Sequence, residues 1–264
     1  MSYENYLPSA PKYEFKGVQD YQQILDQRVD EDGECWGSEY TIFTMDERSF
    51  LDFFLNSEER LLDAWESYDP SINQLLVIMP TSVHEVATTG FQLKFEAWIR
   101  TKNGNYPLDC TMGQTVRGTS GKRKCADCSW TPAHSGLSLQ YPSIAVEVAW
   151  SDTRKKVEDD MRFWLTQTEG KVNVALSITV QKRGRIIVEE WGIKGTRIVP
   201  VQTIEIVRKP APKRQKVEGH LSLNFEEIHK RPRGKGDTDF VLTPGDMEDM
   251  AKRIWRFQDG KLRS

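Results

Sequence analysis

The chain of 264 residues is long enough to bury the core of one large domain or of two small ones. Hydrophobic residues make up 38% and charged residues 28%, as in soluble globular proteins, and no apolar run approaches the ~18 residues of a membrane helix. The net charge of −3 excludes nucleic-acid binding through bulk charge, so such binding requires local basic patches.

The cysteine content and the N-terminus predict the cellular compartment. Four cysteines in a chain of this length do not form a disulfide scaffold, which favours a reducing environment. The first fifteen residues lack the basic segment and apolar stretch of a secretory signal. We therefore expect an intracellular protein, nuclear or cytoplasmic, without a membrane partner.

The first 73 residues predict an N-terminal arm followed by a helical extension. Residues 1–15 contain prolines and tyrosines without helical periodicity, which indicates an irregular arm. The apolar spacing predicts a short amphipathic helix over 18–29 and a longer helix over 46–68, with aromatic residues on one face.

Residues 74–194 alternate strands and helices and form the predicted core. An apolar strand ends at Pro80, and Ser82 with Glu85 three places on matches the capping box of a helix that runs to about Arg100. The strongest strand covers 143–150 and is nearly apolar on both faces, which is typical of the middle of a sheet. The other predicted elements are strands around 108–116 and 122–130, a helix over 154–167 and strands over 171–180 and 185–193.

Residues 195–264 predict strands, a basic linker and a final helix that pack on this core as part of one domain. The helix opens at Thr243–Pro244. Its expected core contacts are Met247, Met250, Ile254, Trp255 and Phe257. Together the elements predict an α/β fold with a mixed sheet flanked by helices, rather than an alternating parallel array.

Glu147 is a carboxylate in a strand whose neighbours predict full burial. Burying a bare carboxylate costs several kcal/mol, roughly, unless a cation, a metal or hydrogen bonds compensate its charge. A strand-end glutamate paired with a lysine or arginine explains it as well as a functional role does. The residue alone leaves both interpretations open.

Asp127 provides a second carboxylate close to the Glu147 strand. It lies in the strand-like segment KCADCSW, and a loop of about a dozen residues is long enough to place the two strands side by side. Two carboxylates at one end of a sheet favour Mg²⁺ or Mn²⁺, which can activate a water for attack on a phosphoryl group. Asp109, in the strand-like PLDC, is the rival for this position.

These elements resemble the PD-(D/E)XK nuclease superfamily, in particular its putative restriction-endonuclease-like branch. The similarity rests on MPTSVHE at the first core helix, CADCSW, IAVEVAW and a lysine on the following helix, and it covers roughly residues 74 to 194. The resemblance implies the αβββαβ core of restriction endonucleases, with helical extensions at both ends of the chain. It also implies a metal-dependent endonuclease that hydrolyses phosphodiester bonds.

The resemblance also assigns the catalytic residues. It implies that Asp127 and Glu147 hold the metal together with the carbonyl of Val148. The position two after Glu147 is Ala149 rather than the motif lysine, so the lysine is expected from the next helix. Lys156 is the candidate, although a lysine in a first helical turn is commonly only solvated.

Two secondary candidates lie close to these residues in the sequence. Lys155 is next to Lys156 and can play the same part. Glu85 can line the cleft from the first core helix, but its place in a capping box explains it equally well.

The stretch 209–216 is basic, interrupted by prolines and expected to be exposed. Lys209, Lys213, Arg214 and Lys216 are therefore candidate nucleic-acid contacts, with a solvated linker as the alternative. DNA is favoured over RNA as the partner, and a homodimer is possible because many such nucleases cut as pairs. A catalytically inactive nuclease fold that binds nucleic acid or acts as a scaffold is the alternative function, since the motif lysine is missing at 149.

Overall fold

The computed structural model describes residues 2–30, 35, 37–56, 65–101, 107–133, 140–150, 154–209 and 215–261. Within these ranges the protein is of the α/β class, with six α-helices: α1 (Val18–Asp26), α2 (Glu47–Phe50), α3 (Ser82–Arg100), α4 (Arg154–Thr166), α5 (Phe225–His229) and α6 (Pro244–Lys261). None of these helices combines the length and the apolar character needed to cross a bilayer.

The strands of the same ranges form two mixed sheets, of six and eight strands. They are β1 (Lys12–Glu14), β2 (Tyr40–Thr44), β3 (Trp65–Asp69), β4 (Gln74–Ile78), β5 (Leu108–Cys110), β6 (Thr115–Arg117), β7 (Arg123–Cys125), β8 (Cys128–Pro132), β9 (Ile144–Trp150), β10 (Val174–Val180), β11 (Arg185–Lys194), β12 (Arg197–Val207), β13 (Lys216–Leu223) and β14 (Phe240–Leu242).

The chain divides into two compact units. The first comprises Met1–Ser82 and Thr115–Cys125, and the second comprises Val83–Gln114 and Ala126–Ser264. The six-stranded sheet, in the order β1-β2-β4-β3-β7-β6, belongs to the first unit. The eight-stranded sheet, in the order β14-β13-β12-β11-β10-β9-β8-β5, belongs to the second.

An aromatic core holds the sheet of the first unit. The rings of Phe50 and Tyr68 stack with centroids 4.2 Å apart, and Trp65 meets Phe50 edge to face. The helix predicted through Tyr68 is therefore wrong at its end, because β3 pairs with β4 there and turns these aromatic side chains into the core. The expected N-terminal helical extension contains the strands β2 and β3 as well as helices, and β1 makes part of the expected irregular arm a parallel partner of β2.

Strand β9 is the central feature of the second unit. All of its residues except Trp150 are buried, which confirms the prediction of a strand covered on both faces. It pairs in parallel with β10 through the helical crossover α4 and antiparallel with β8. Because side chains alternate along a strand, Glu147 faces away from Val146 and Val148.

Helices α3 and α6 cover the face of the sheet that carries Val146 and Val148. The predicted core contacts of α6 at Met247, Met250, Ile254 and Trp255 are confirmed, since all four are buried. The prediction for Phe257 is wrong, because its side chain is 42% exposed. The helical period places Gln258 rather than Phe257 below Ile254, and the Gln258 amide donates a hydrogen bond to the carbonyl of Gln181.

Gly219 in β13 is a position at which a side chain would meet the neighbouring strand. Its φ is +90°, and a Cβ would lie 2.0 Å from the carbonyl oxygen of Thr203. We expect Gly219→Ala to lower the free energy of unfolding by at least about 3 kcal/mol, the sum of overpacking and left-handed strain. Gly236 has a φ of +87°, and a Cβ added there would meet no atom within 4 Å, so Gly236→Ala is the matched control and costs only about 1 kcal/mol. Urea unfolding of both variants measures the difference, and equal losses would contradict the steric explanation.

Candidate functional site

Two carboxylates of the second unit form a buried acidic group: Glu147 of β9 and Asp160 of α4. One oxygen of Glu147 lies within 4.8 Å of an oxygen of Asp160. The two residues are 4% and 5% exposed, respectively, so water does little to screen their mutual repulsion. Carboxylates brought together in this way require compensation by cations.

A buried lysine supplies part of that compensation. The ammonium of Lys156 lies 2.6 Å from Asp160 Oδ2, and Lys156 is 2% exposed. In the first unit, Lys124 and Glu66 form a buried ion pair of the same kind, with the ammonium 2.5 Å from Glu66 Oε1. With all three groups ionised, Glu147, Asp160 and Lys156 together carry one net negative charge, which favours an additional cation.

A hydrogen bond from Trp164 fixes the orientation of Glu147. The indole Nε1–H of Trp164, a fully buried residue of α4, donates to Glu147 Oε1 over 2.6 Å. This contact places α4 over the face of the sheet opposite to α3 and α6. Trp164 therefore orients the carboxylate of Glu147 without neutralising its charge.

Replacing Trp164 by phenylalanine tests this positioning. We expect Trp164→Phe to lower the free energy of unfolding by about 3 kcal/mol, because it removes a charge-assisted hydrogen bond from a buried acceptor and leaves a small cavity. Phe163→Leu, a change at the neighbouring buried ring of α4, is the control for the cavity alone. Chemical denaturation measures both, and an unchanged stability of Trp164→Phe would contradict the assignment of this hydrogen bond.

Asp127 lies next to Glu147 in strand register, as the sequence predicts for two adjacent strands. Cys128 pairs with Val146, so Asp127 and Glu147 are the next positions along the two strands. The Asp127 side chain turns to the backbone, however, and Oδ2 accepts a hydrogen bond from the N–H of Val148 over 2.6 Å. Its Oδ1 lies 3.1 Å from Nε2 of His84 in α3. Among the described residues, Asp127 is not a member of the acidic group.

The remaining catalytic candidates lie in different environments. Lys155 is exposed on α4, one residue from the buried Lys156. Glu85 is exposed in the first turn of α3 and lines a groove formed with α6. Asp109, the rival of Asp127, is exposed in β5 opposite Thr131.

The basic stretch is only partly described. Lys209 follows the end of β12, and its backbone N–H donates to the side chain of Gln215 over 2.8 Å. Lys216 begins β13, is exposed and lies 2.6 Å from Glu218. Lys213 and Arg214 lie outside the described residues.

The sequence reasoning missed Asp160. It was detectable, because it follows Lys156 by four residues and therefore shares its helix face. The burial of Glu66 in the first unit was not detectable, because the apolar spacing placed it in a helix and only the pairing of β3 with β4 makes it a strand residue. Non-local pairing of this kind is not visible in local periodicity.

The chemistry of the acidic group fits a divalent cation with oxygen ligands. Mg²⁺ binds oxygen at about 2.1 Å and Ca²⁺ at up to about 2.6 Å, so two ligands of one ion lie up to about 5 Å apart. The carboxylate oxygens of Glu147 and Asp160 lie close enough together to bind one ion. The group could thus hold a metal ion, with hard cations such as Mg²⁺ or Mn²⁺ favoured by the all-carboxylate donors.

Comparisons with known proteins assign no family. No protein-family model matches the chain, and no curated protein is significantly similar to it.

Proposed function

We propose that the protein is a divalent-metal-dependent nuclease that hydrolyses phosphodiester bonds in nucleic acid, with DNA as the preferred substrate. The observation that carries this proposal is the buried acidic group of Glu147 and Asp160, with Lys156 beside Asp160. Metal-assisted hydrolysis of phosphodiester bonds uses carboxylates that bind the metal and cationic groups close to them. The expected homodimer stays a prediction.

The order of elements in the second unit supports a PD-(D/E)XK assignment. Helix α3 is followed by β5, β8, β9, α4 and β10, and these strands are neighbours in the sheet in the order β5-β8-β9-β10. The antiparallel pair β8–β9 and the parallel pair β9–β10 agree with the αβββαβ core that the resemblance implies. Glu147 lies on the middle strand of this arrangement.

In this proposal Glu147 and Asp160 would hold Mg²⁺ or Mn²⁺. The bound ion would act as a Lewis acid that lowers the pKa of water and neutralises charge on a phosphoryl oxygen. Lys156 takes the part of the motif lysine, because Ala149 shares the face of Glu147 and carries no amine. Its ammonium donates a proton in a hydrogen bond to a phosphoryl oxygen, and Trp164 orients the carboxylate of Glu147.

The burial of the site favours a second candidate function, a nuclease fold without catalysis that binds nucleic acid or acts as a scaffold. Glu147 and Lys156 are 4% and 2% exposed, and both already contact side chains of α4. Hydrolysis requires a substrate phosphate to reach these groups, so the first function includes a local opening of the site. The non-catalytic function requires no such opening.

A cleavage panel separates the two functions. The substrates are single-stranded DNA, duplex DNA, RNA and a branched junction, each incubated with Mn²⁺ or with EDTA. The proteins are the wild type and Glu147→Gln, which retains the side-chain shape and an acceptor for Trp164. We expect cleavage by the wild type with Mn²⁺ alone. Metal binding without cleavage of any substrate would favour the non-catalytic function, and equal cleavage by both proteins would refute the site.

A further inference from the structure

A groove between α3 and α6 lies on the surface of the second unit. Its volume is about 430 Å³, and its walls are formed by Glu85, Val86, Thr89 and Gly90 of α3 and by Arg253, Arg256 and Phe257 of α6. This volume is within the range of about 300–1,000 Å³ that is typical of pockets for small ligands. At Gly90 the two helices come close, since a Cβ would lie 3.5 Å from the Met250 side chain.

The wall of the groove on α6 carries two arginines. Arg253 and Arg256 are three residues apart on one helix face, and both are exposed. Within the described part of the chain, neither guanidinium has a hydrogen bond or ion pair. Arg208, which also lies close to α6, does have an ion-pair partner, Asp259, at 2.6 Å. With Glu85 opposite, the groove has a net charge of +1, which favours an anion.

Phe257 adds an apolar surface next to these cations. Its ring is 42% exposed, although its helix is otherwise packed with its apolar residues inward. An exposed aromatic ring beside two guanidinium groups matches the two parts of a nucleotide, a base that stacks and a phosphate that accepts bidentate hydrogen bonds. Stacking on a protein side chain requires an unpaired base, so this combination favours a single strand over a duplex.

We propose that this groove binds single-stranded nucleic acid, with Arg253 and Arg256 on the phosphate and Phe257 stacked on a base. The inference deepens the proposed function, on which it rests for the class of ligand. Helix α3 also connects the groove to the strand of Glu147, because His84, next to Glu85, contacts Asp127, and Asp127 accepts a hydrogen bond from Val148 of β9. A strand bound in the groove would therefore run along the helix whose first turn contacts Asp127.

The experiment measures binding without metal, so that its outcome does not depend on catalysis. A labelled 12-nucleotide thymidine oligomer is titrated in EDTA, with fluorescence anisotropy as the readout and a 12-base-pair duplex and inorganic phosphate as competitors. The test variants are Arg253→Glu with Arg256→Glu, and Phe257→Ala. The matched control is Lys252→Glu with Arg162→Glu, which makes the same charge change at exposed positions outside the groove.

We expect the double arginine variant to lose affinity at least about tenfold and to reduce the slope of log K against log salt by about 1.4, or 0.7 for each phosphate contact. Phe257→Ala is expected to lose at least about fivefold, the low end for a stacked base. The control stays within about twofold of the wild type. Absence of wild-type binding, equal losses in the control, or competition by the duplex as strong as by the single strand would each overturn the inference. A failure here leaves metal binding by the acidic group intact, and a protein without metal binding can still show this affinity.

Discussion

Replacing Lys156 by methionine is expected to lower the free energy of unfolding of the metal-free protein by about 3–5 kcal/mol. The ammonium lies 2.6 Å from Asp160 and is 2% exposed, so its loss leaves a buried carboxylate without its cation. Methionine has a similar length and fills the same volume, which separates the charge from the packing. Urea unfolding with EDTA present measures the effect.

The chain offers a matched control for this variant in the next residue. Lys155 is exposed on the same turn of α4, and Lys155→Met is expected to change the free energy of unfolding by less than about 0.5 kcal/mol. Mn²⁺ is expected to recover a large part of the Lys156→Met loss, because the ion replaces the missing positive charge. Equal stabilities of the two variants would contradict the buried ion pair, and a loss that Mn²⁺ leaves unchanged would contradict metal binding next to it.

Glu147→Gln is expected to abolish the response of the protein to divalent metal. At a Mn²⁺ concentration 100 times the wild-type Kd, binding raises the unfolding free energy of the wild type by about 2.7 kcal/mol. The glutamine retains an oxygen that accepts the Trp164 hydrogen bond but removes the charge, so its gain should stay below about 1 kcal/mol. Any Mn²⁺-dependent cleavage should fall by about 100-fold or more.

The control for Glu147→Gln is Asp109→Asn. Asp109 is an exposed carboxylate in β5 of the same sheet, so its neutralisation removes the same charge outside the acidic group. We expect its metal response to equal that of the wild type. Thermal unfolding in matched Mn²⁺ and EDTA buffers compares the three proteins, and a full metal response of Glu147→Gln would exclude this carboxylate as a ligand.

Much of the second unit could be predicted from the sequence. Strand β9 is apolar on both faces because two layers cover it, and α3 and α6 carry apolar residues at helical spacing. Burial of this kind produces a characteristic pattern of apolar residues, and this pattern is visible in the sequence alone. Glu147 stood out for the same reason, as a charge in a buried pattern.

The first unit could not be predicted in the same way. The spacing of Phe50, Phe54 and Trp65 suits a helix, but the order of β3 in the sheet depends on pairing with β4 and β7. Strand pairing between distant segments overrides local propensity. Glu66 and its partner Lys124 therefore became visible only once these strands were paired.

Only part of the site could be predicted from the sequence, for a related reason. Register places Asp127 beside Glu147, as two adjacent strands require, but it does not determine where a side chain turns. The backbone N–H of Val148 and the ring of His84 engage the Asp127 carboxylate, whereas Asp160 joins Glu147 from α4. Side-chain direction at a strand end depends on the nearest donor, and the sequence does not specify that donor.

The most direct test of the acidic group is a calorimetric titration of Mn²⁺ into the metal-free wild type, Asp160→Asn and Asp127→Asn. Asp160 and Asp127 distinguish the group seen in the structure from the pair suggested by the sequence. We predict one bound ion per chain for the wild type and for Asp127→Asn, and a loss of binding of at least about tenfold for Asp160→Asn. Retained binding in Asp160→Asn together with loss in Asp127→Asn, or no binding by the wild type, would contradict a metal site formed by Glu147 and Asp160.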